Sequence, residues 1–175
     1  DKSLLLVRIL QEANIKAYVA MLNTSLGDKV DKEAPSPRIF NHAIVAIERS
    51  GGNIFIDPTM NNQWGSLINY YIPAYGKALL IKEQNDVFDI VNPGFINKTK
   101  VEEILDVKAK GGGNSKLQVK TVYAGGAADF MRDYFASNSL TDTHESYEKY
   151  YKTIYDSIVI DGDITFTDDT NANEI

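Results

Sequence analysis

Apolar and polar positions alternate along this chain in a way that changes period several times. From Lys2 to Ala13, Leu5, Leu6, Ile9, Leu10 and Ala13 recur at helical spacing, with Arg8, Gln11 and Glu12 between them. That pattern predicts an amphipathic helix with this leucine-rich face inward and Asn14 as its stop. Ile15 to Leu22 reads as a largely buried strand, and Asn23 to Arg38, with Gly27, Pro35 and Pro37, reads as a surface loop. Two short apolar runs follow, Phe40 to Ile47 and Asn53 to Ile56, joined by the polar connection Glu48-Arg49-Ser50-Gly51-Gly52. A Gly-Gly link between two such runs predicts an antiparallel hairpin.

Asn61 to Gly76 is punctuated by Gly65, Pro73 and Gly76 and carries Trp64, Tyr70, Tyr71 and Tyr75, so it reads as a loop. Lys77 to Ile81 predicts another strand. The texture then changes, with strands expected at Asp86 to Val91, Val101 to Lys110 and Lys116 to Tyr123. In the last of these Leu117, Val119, Thr121 and Tyr123 alternate with polar residues, the mark of a half-buried strand. Gly111-Gly112-Gly113 lacks the lysine and strand-to-helix setting of a phosphate loop and reads as a turn. Helices are expected over 127–136 and, with Asp142 as N-cap and Glu145 three residues on, over 143–158. Tyr147, Tyr150, Tyr151, Ile154 and Ile158 would share the apolar face of the second. A last strand is expected at Ile164 to Thr167, and the acidic end from Asp168 is expected to fray.

These elements give an α+β chain: a core over residues 1–81, a smaller α+β extension over 82–167, and a frayed tail over 168–175. Alternatively, the two parts are separate domains linked near Lys82 to Asp86. The net charge of −6 and pI near 4.9 exclude the basic face that nucleic acid requires. No apolar run approaches the roughly 20 residues that span a bilayer. There are no cysteines and two histidines, His42 and His144, so neither disulfides nor a multi-histidine zinc site is expected. Nothing in the composition implies a metal or an organic cofactor. His144, in the first turn of a predicted helix beside Glu145, reads as solvated.

Chemistry gathers instead at the hairpin. His42 heads its first strand and Asp57 ends its second, so antiparallel pairing would bring an imidazole beside a carboxylate. That pairing orients a catalytic base. Asp57 before Pro58 also fits an ordinary Asx turn. Trp64 either lines a cleft beyond the Asp57 strand or covers the core.

Residues 1–81 resemble the transglutaminase-like branch of the papain-like cysteine enzymes. His42-Ala43-Ile44-Val45 is similar to the family's histidine motif, and Asp57-Pro58-Thr59 matches its Asp-Pro-Thr. Within the family the likeness is to bacterial multidomain proteins whose core helix opens Gly-Asp-Cys-Lys-Asp-Lys. Asp1-Lys2-Ser3-Leu4-Leu5-Leu6 resembles that opening from two residues after its cysteine. Ser36-Pro37-Arg38-Ile39-Phe40-Asn41-His42 and Trp64-Gly65-Ser66-Leu67 fit the same subgroup.

The resemblance implies a partial papain-like core, a helix packed on an antiparallel sheet, and Cys-His-Asp acyl transfer or amide hydrolysis on a protein or peptide. His42 would be base and acid, Asp57 its orienter, and Asn41 and Trp64 cleft residues. It implies no metal and no cofactor, and favours a bacterial periplasm or envelope. The 175 residues as they stand would be inactive for want of a nucleophile, since Ser3 falls several residues beyond the cysteine's place. The leucine-rich helix would then miss an N-terminal part of the same protein, predicting exposed apolar surface, self-association or cover by a partner segment. The rival reading is a non-catalytic binding or scaffold module that retains the fold.

Overall fold

In the computed structural model, which describes residues 1–91 and 97–175, the chain is α+β and forms two compact units. The first is Asp1–Asn61 with Tyr71–Phe95, and the second is Asn62–Tyr70 with Ile96–Ile175. The division therefore falls elsewhere than after residue 81: the last strand of the first sheet lies beyond that point, and residues 62–70 belong with the second unit.

The first unit begins with α1 (Lys2–Glu12), closed where Asn14 adopts a left-handed φ of 61° and the Ile15 N–H returns to the Leu10 carbonyl at 2.9 Å. Five antiparallel strands follow: β1 (Ala17–Leu22), β2 (His42–Ile47), β3 (Ile54–Ile56), β4 (Gly76–Leu80) and β5 (Phe88–Val91). They lie in the order β3-β2-β1-β4-β5. The β1–β2 register sets Val19 against Val45 and Leu22 against His42, and the β2–β3 register sets Val45 against Ile56. Because side chains alternate across a strand, Val45 and Ile47 share one face while His42, Ile44 and Ala46 share the other. The first face packs under α1, where Val7, Ala17 and Val45 are buried among Leu6, Leu10, Val19, Ile47 and Ile56. The second face is equally dry: Ala20, Leu22, Ile44 and Ala46 are completely buried.

The helix docks on a different stripe from the one its leucines predict. Leu6 and Leu10 are inside, but Leu5 and Ile9 are 62% and 56% exposed and Ala13 is exposed. The buried stripe is Ser3, Leu6, Val7 and Leu10, with the Ser3 hydroxyl donating to the Ala43 carbonyl at 2.6 Å. A small residue whose hydroxyl is satisfied lets helix and sheet approach closely, which outweighs burying two longer side chains.

Close approach governs one glycine as well. Gly76 has a φ of 75°, and a Cβ there would stand 2.5 Å from backbone atoms of both Gly27 and Asp28, in the 3-10 turn Gly27–Lys32.

The second unit contains a long hairpin of β6 (Lys98–Asp106) and β7 (Lys116–Ala124), then α2 (Gly126–Ser137) and α3 (Leu140–Lys152). Ser139, three residues ahead of the expected cap, starts α3 in a reciprocal capping box with Asp142. The helix ends at Lys152, so Ile154 and Ile158 lie outside it. Its inward stripe is Thr143, Tyr147 and Tyr151, with Tyr150 59% exposed. Residues 164–167 form no strand.

The tail from Asp168 is pinned rather than frayed. Arg132, on α2, holds Asp168 through two nitrogens at 2.9 and 2.8 Å, and its third reaches Asp129 at 2.9 Å and Asn173 at 2.7 Å. Asn173 is fully buried, and Ile175 pairs with Tyr123 through two backbone hydrogen bonds. Polar side chains that answer a buried guanidinium leave no hydrophobic periodicity to read.

Two substitutions test this account. Gly76→Ala should destabilise the first unit by about 3 kcal/mol, combining backbone strain with a backbone clash. Gly51→Ala, with φ 105° but open space around it, should cost about 1 kcal/mol, strain alone. Chemical denaturation followed by far-UV circular dichroism compares them; equal costs would refute the close-approach argument. Arg132→Ala should cost about 3 kcal/mol and expose residues 168–175 to carboxypeptidase, since it leaves Asp129 buried and short of its charge partner.

Candidate active site

His42 and Asp57 meet because of strand parity. Continuing the β2–β3 register by one position sets Asp57 opposite Ile44, on the face that also carries His42 two residues away. The His42 Nε2 lies 2.7 Å from the Asp57 Oδ2. The histidine side chain is one-fifth exposed, whereas Asp57 is 2% exposed.

The carboxylate is fully subscribed. Its Oδ1 accepts the Thr59 N–H at 2.9 Å and the Thr59 hydroxyl at 2.6 Å. Its Oδ2 accepts the Tyr75 hydroxyl at 2.6 Å besides the His42 bond. The turn aspartate and the histidine-orienting aspartate are therefore the same residue, one oxygen for each task. Burial pushes the Asp57 carboxyl up, but the hydrogen bonds from the Thr59 hydroxyl, Tyr75, His42 and the Thr59 N–H outweigh it and hold the group below the usual carboxylate value. Burial, together with the bond to Asp57, pushes the Tyr75 phenol well above its ordinary value, so it stays a donor. The Tyr75 ring also packs against the imidazole, centroids 5.6 Å apart and tilted by 53°.

An acceptor-only carboxylate fixes the histidine tautomer. With Nε2–H given to Asp57, the Nδ1 lone pair is left as the basic nitrogen. The first turn of α1 lies alongside: Ser3 donates to Ala43, the residue next to His42. That contact commits the Ser3 hydroxyl to a backbone carbonyl.

Of the other two candidate residues, Asn41 bonds elsewhere and Trp64 belongs to the other unit. Asn41 is exposed and exchanges hydrogen bonds with Thr24, accepting its N–H at 2.9 Å and donating to its hydroxyl at 3.2 Å. It ties the loop after β1 to the start of β2. Trp64 lies in the second unit, 52% exposed, with its backbone N–H given to the Asp129 carboxylate. Two shallow depressions of about 330 and 630 Å³ lie around Gln11 and Tyr18, and neither is lined by His42 or Asp57. Among the described residues no group of three or more histidine, aspartate or glutamate side chains is placed to hold a metal ion. Comparison with protein-family models, with curated proteins and with solved structures finds no match to this chain.

Sequence reasoning missed Tyr75 and the part played by Thr59. Tyr75 sits in a loop with three other aromatics, and nothing in the spacing singles it out. Thr59 had a signal: a hydroxyl two residues after an aspartate is the usual partner in an Asx turn.

The sign of the Asp57 shift sets a pH dependence. A carboxyl held low in the folded state contributes stability that is complete above its unfolded value, roughly 3.9, and is lost as pH falls through the lower folded value. Asp57→Asn should therefore cost about 2 kcal/mol at pH 7, and the gap from the unsubstituted chain should close progressively below about pH 4. Amide hydrogen exchange at Val45 and Ala46 measures it. A gap that widens on acidification would contradict the assignment.

Proposed function

We propose that the first unit is the histidine–aspartate half of a transglutaminase-like, papain-like cysteine site, whose parent performs acyl transfer or amide hydrolysis on a protein or peptide. The observation that carries this reading is the 2.7 Å contact between the His42 Nε2 and the buried carboxyl of Asp57. The Ser3 bond to the Ala43 carbonyl brings the start of α1 to the same end of β2 as His42, and because α1 packs on the opposite face from the imidazole, a nucleophile ahead of Ser3 would reach it around the start of that strand.

The chemistry follows from the free nitrogen. His42 Nδ1 takes the proton of a cysteine thiol, and the thiolate adds to an amide carbonyl. The resulting imidazolium is stabilised by Asp57, whose charge is already in place, and returns its proton to the departing amine. The thioester is then released to water or to a second amine. The resemblance sets that cysteine two residues ahead of Asp1, which makes the preceding residues of the gene the first thing to read.

A chain extended upstream by its natural residues should hydrolyse thiol-sensitive ester or amide substrates, or incorporate a fluorescent amine into a protein. His42→Ala should lower the rate by about a thousandfold or more, and Asp57→Asn by a comparable factor. Ser3→Ala should keep its activity. Activity indifferent to His42→Ala would overturn the proposal. The second reading is a non-catalytic binding or scaffold module that retains the fold. An unreactive residue two positions before Asp1 would decide for it.

A further inference from the structure

Among the described residues the second sheet has two strands, nothing pairs with the outer side of β6, and all nine of its residues are exposed. Every second residue of such a strand turns its N–H and C=O away from the neighbour it already has. The outer side of β7 differs, since Ile175 closes it at Tyr123. β6 carries charged side chains, one of the usual protections of an edge, but lacks three others. It is long, contains no proline, and runs against β7 from Lys98–Ala124 to Asp106–Lys116 without a bulge.

Its charges are sorted by sign along its length. Lys98 and Lys100 occupy the first half, and Glu102, Glu103 and Asp106 the second. A parallel copy would set lysine on lysine and glutamate on glutamate. An antiparallel copy reverses the order, and one register about a two-fold axis at Val101 sets Lys100 against Glu102 twice and Thr99 against Glu103 twice. It also lays Val101, 53% exposed, against its own counterpart. Neighbouring symmetric registers, centred on Lys100 or Glu102, place like charges on the axis.

From this we infer that β6 pairs antiparallel with β6 of a second copy of the chain, joining two hairpins into one four-stranded sheet. The pairing is independent of the chemistry at His42. It supplies backbone partners to the edge and covers Val101, and the charge order selects both orientation and register.

Sedimentation velocity of the 175-residue chain over a range of concentrations provides the test. A reversible dimer should form, and Lys100→Glu, which faces only Val122 within the hairpin, should weaken it about tenfold by opposing two glutamate pairs. The double substitution Lys100→Glu with Glu102→Lys, made together with Lys120→Glu so that residue 102 still meets an opposite charge across the hairpin, should restore it. Amide protons on the outer side of β6 should gain protection as the concentration rises. A chain that stays monomeric into the hundreds of micromolar would overturn the inference. So would a dimer unaffected by Lys100→Glu, or one weakened by it and not rescued by these combined substitutions. Circular dichroism of each variant confirms that the hairpin itself is intact. Should Lys100→Glu unfold it, the concentration dependence of β6 amide protection in the unsubstituted chain decides alone.

Discussion

The buried carboxylate of Asp57 is the constraint on which the first unit turns. Taking a charge out of water costs several kcal/mol unless its lone pairs are met. Here four donors meet them, from Thr59, His42 and Tyr75. These donors come from three places in the chain: the start of β2, the turn after β3 and the residue before β4. One side chain therefore ties together the segments that the sheet order brings to that end. The arrangement is stable only as a whole, because losing one donor leaves the others serving a charge that is still buried.

The same end of the sheet depends on small residues. Ser3 lets α1 sit close to β2, and Gly76 lets the chain enter β4 against the backbone of Gly27 and Asp28. Tyr75 directly precedes Gly76. The backbone approach and the phenol's reach to Asp57 are thus adjacent consequences of one local path. Large apolar residues fill this core, but small ones decide where its elements lie.

Much of this was legible in the sequence, and the exceptions share a cause. β2, its Gly-Gly connection and β3 follow from alternation and turn chemistry, and strand parity alone brings His42 and Asp57 to one face. The docking stripe of α1 was misread because hydrophobicity ranks Leu5 and Ile9 above Ser3, whereas close approach ranks them the other way. The tail from Asp168 was misread because its order comes from Arg132, 36 residues away in sequence, through polar contacts that carry no period. Tyr75 was invisible for a similar reason. Its partner is 18 residues away, and a loop tyrosine carries no mark of what its hydroxyl will find.

Two donors on one oxygen also bear on what the histidine can do. Tyr75 and His42 both address Oδ2, so each limits the direction from which the other approaches. Rotating the imidazole by half a turn would offer Asp57 a carbon instead of Nε2 and forfeit the bond. Ring orientation and tautomer are therefore fixed together, and the nitrogen left over is Nδ1. Thr59 and Tyr75 already give Asp57 its architectural ties. The bond to His42 adds a fixed ring and a fixed tautomer, beside a counter-charge that needs no reorganisation, and these are the features on which the proposed chemistry draws.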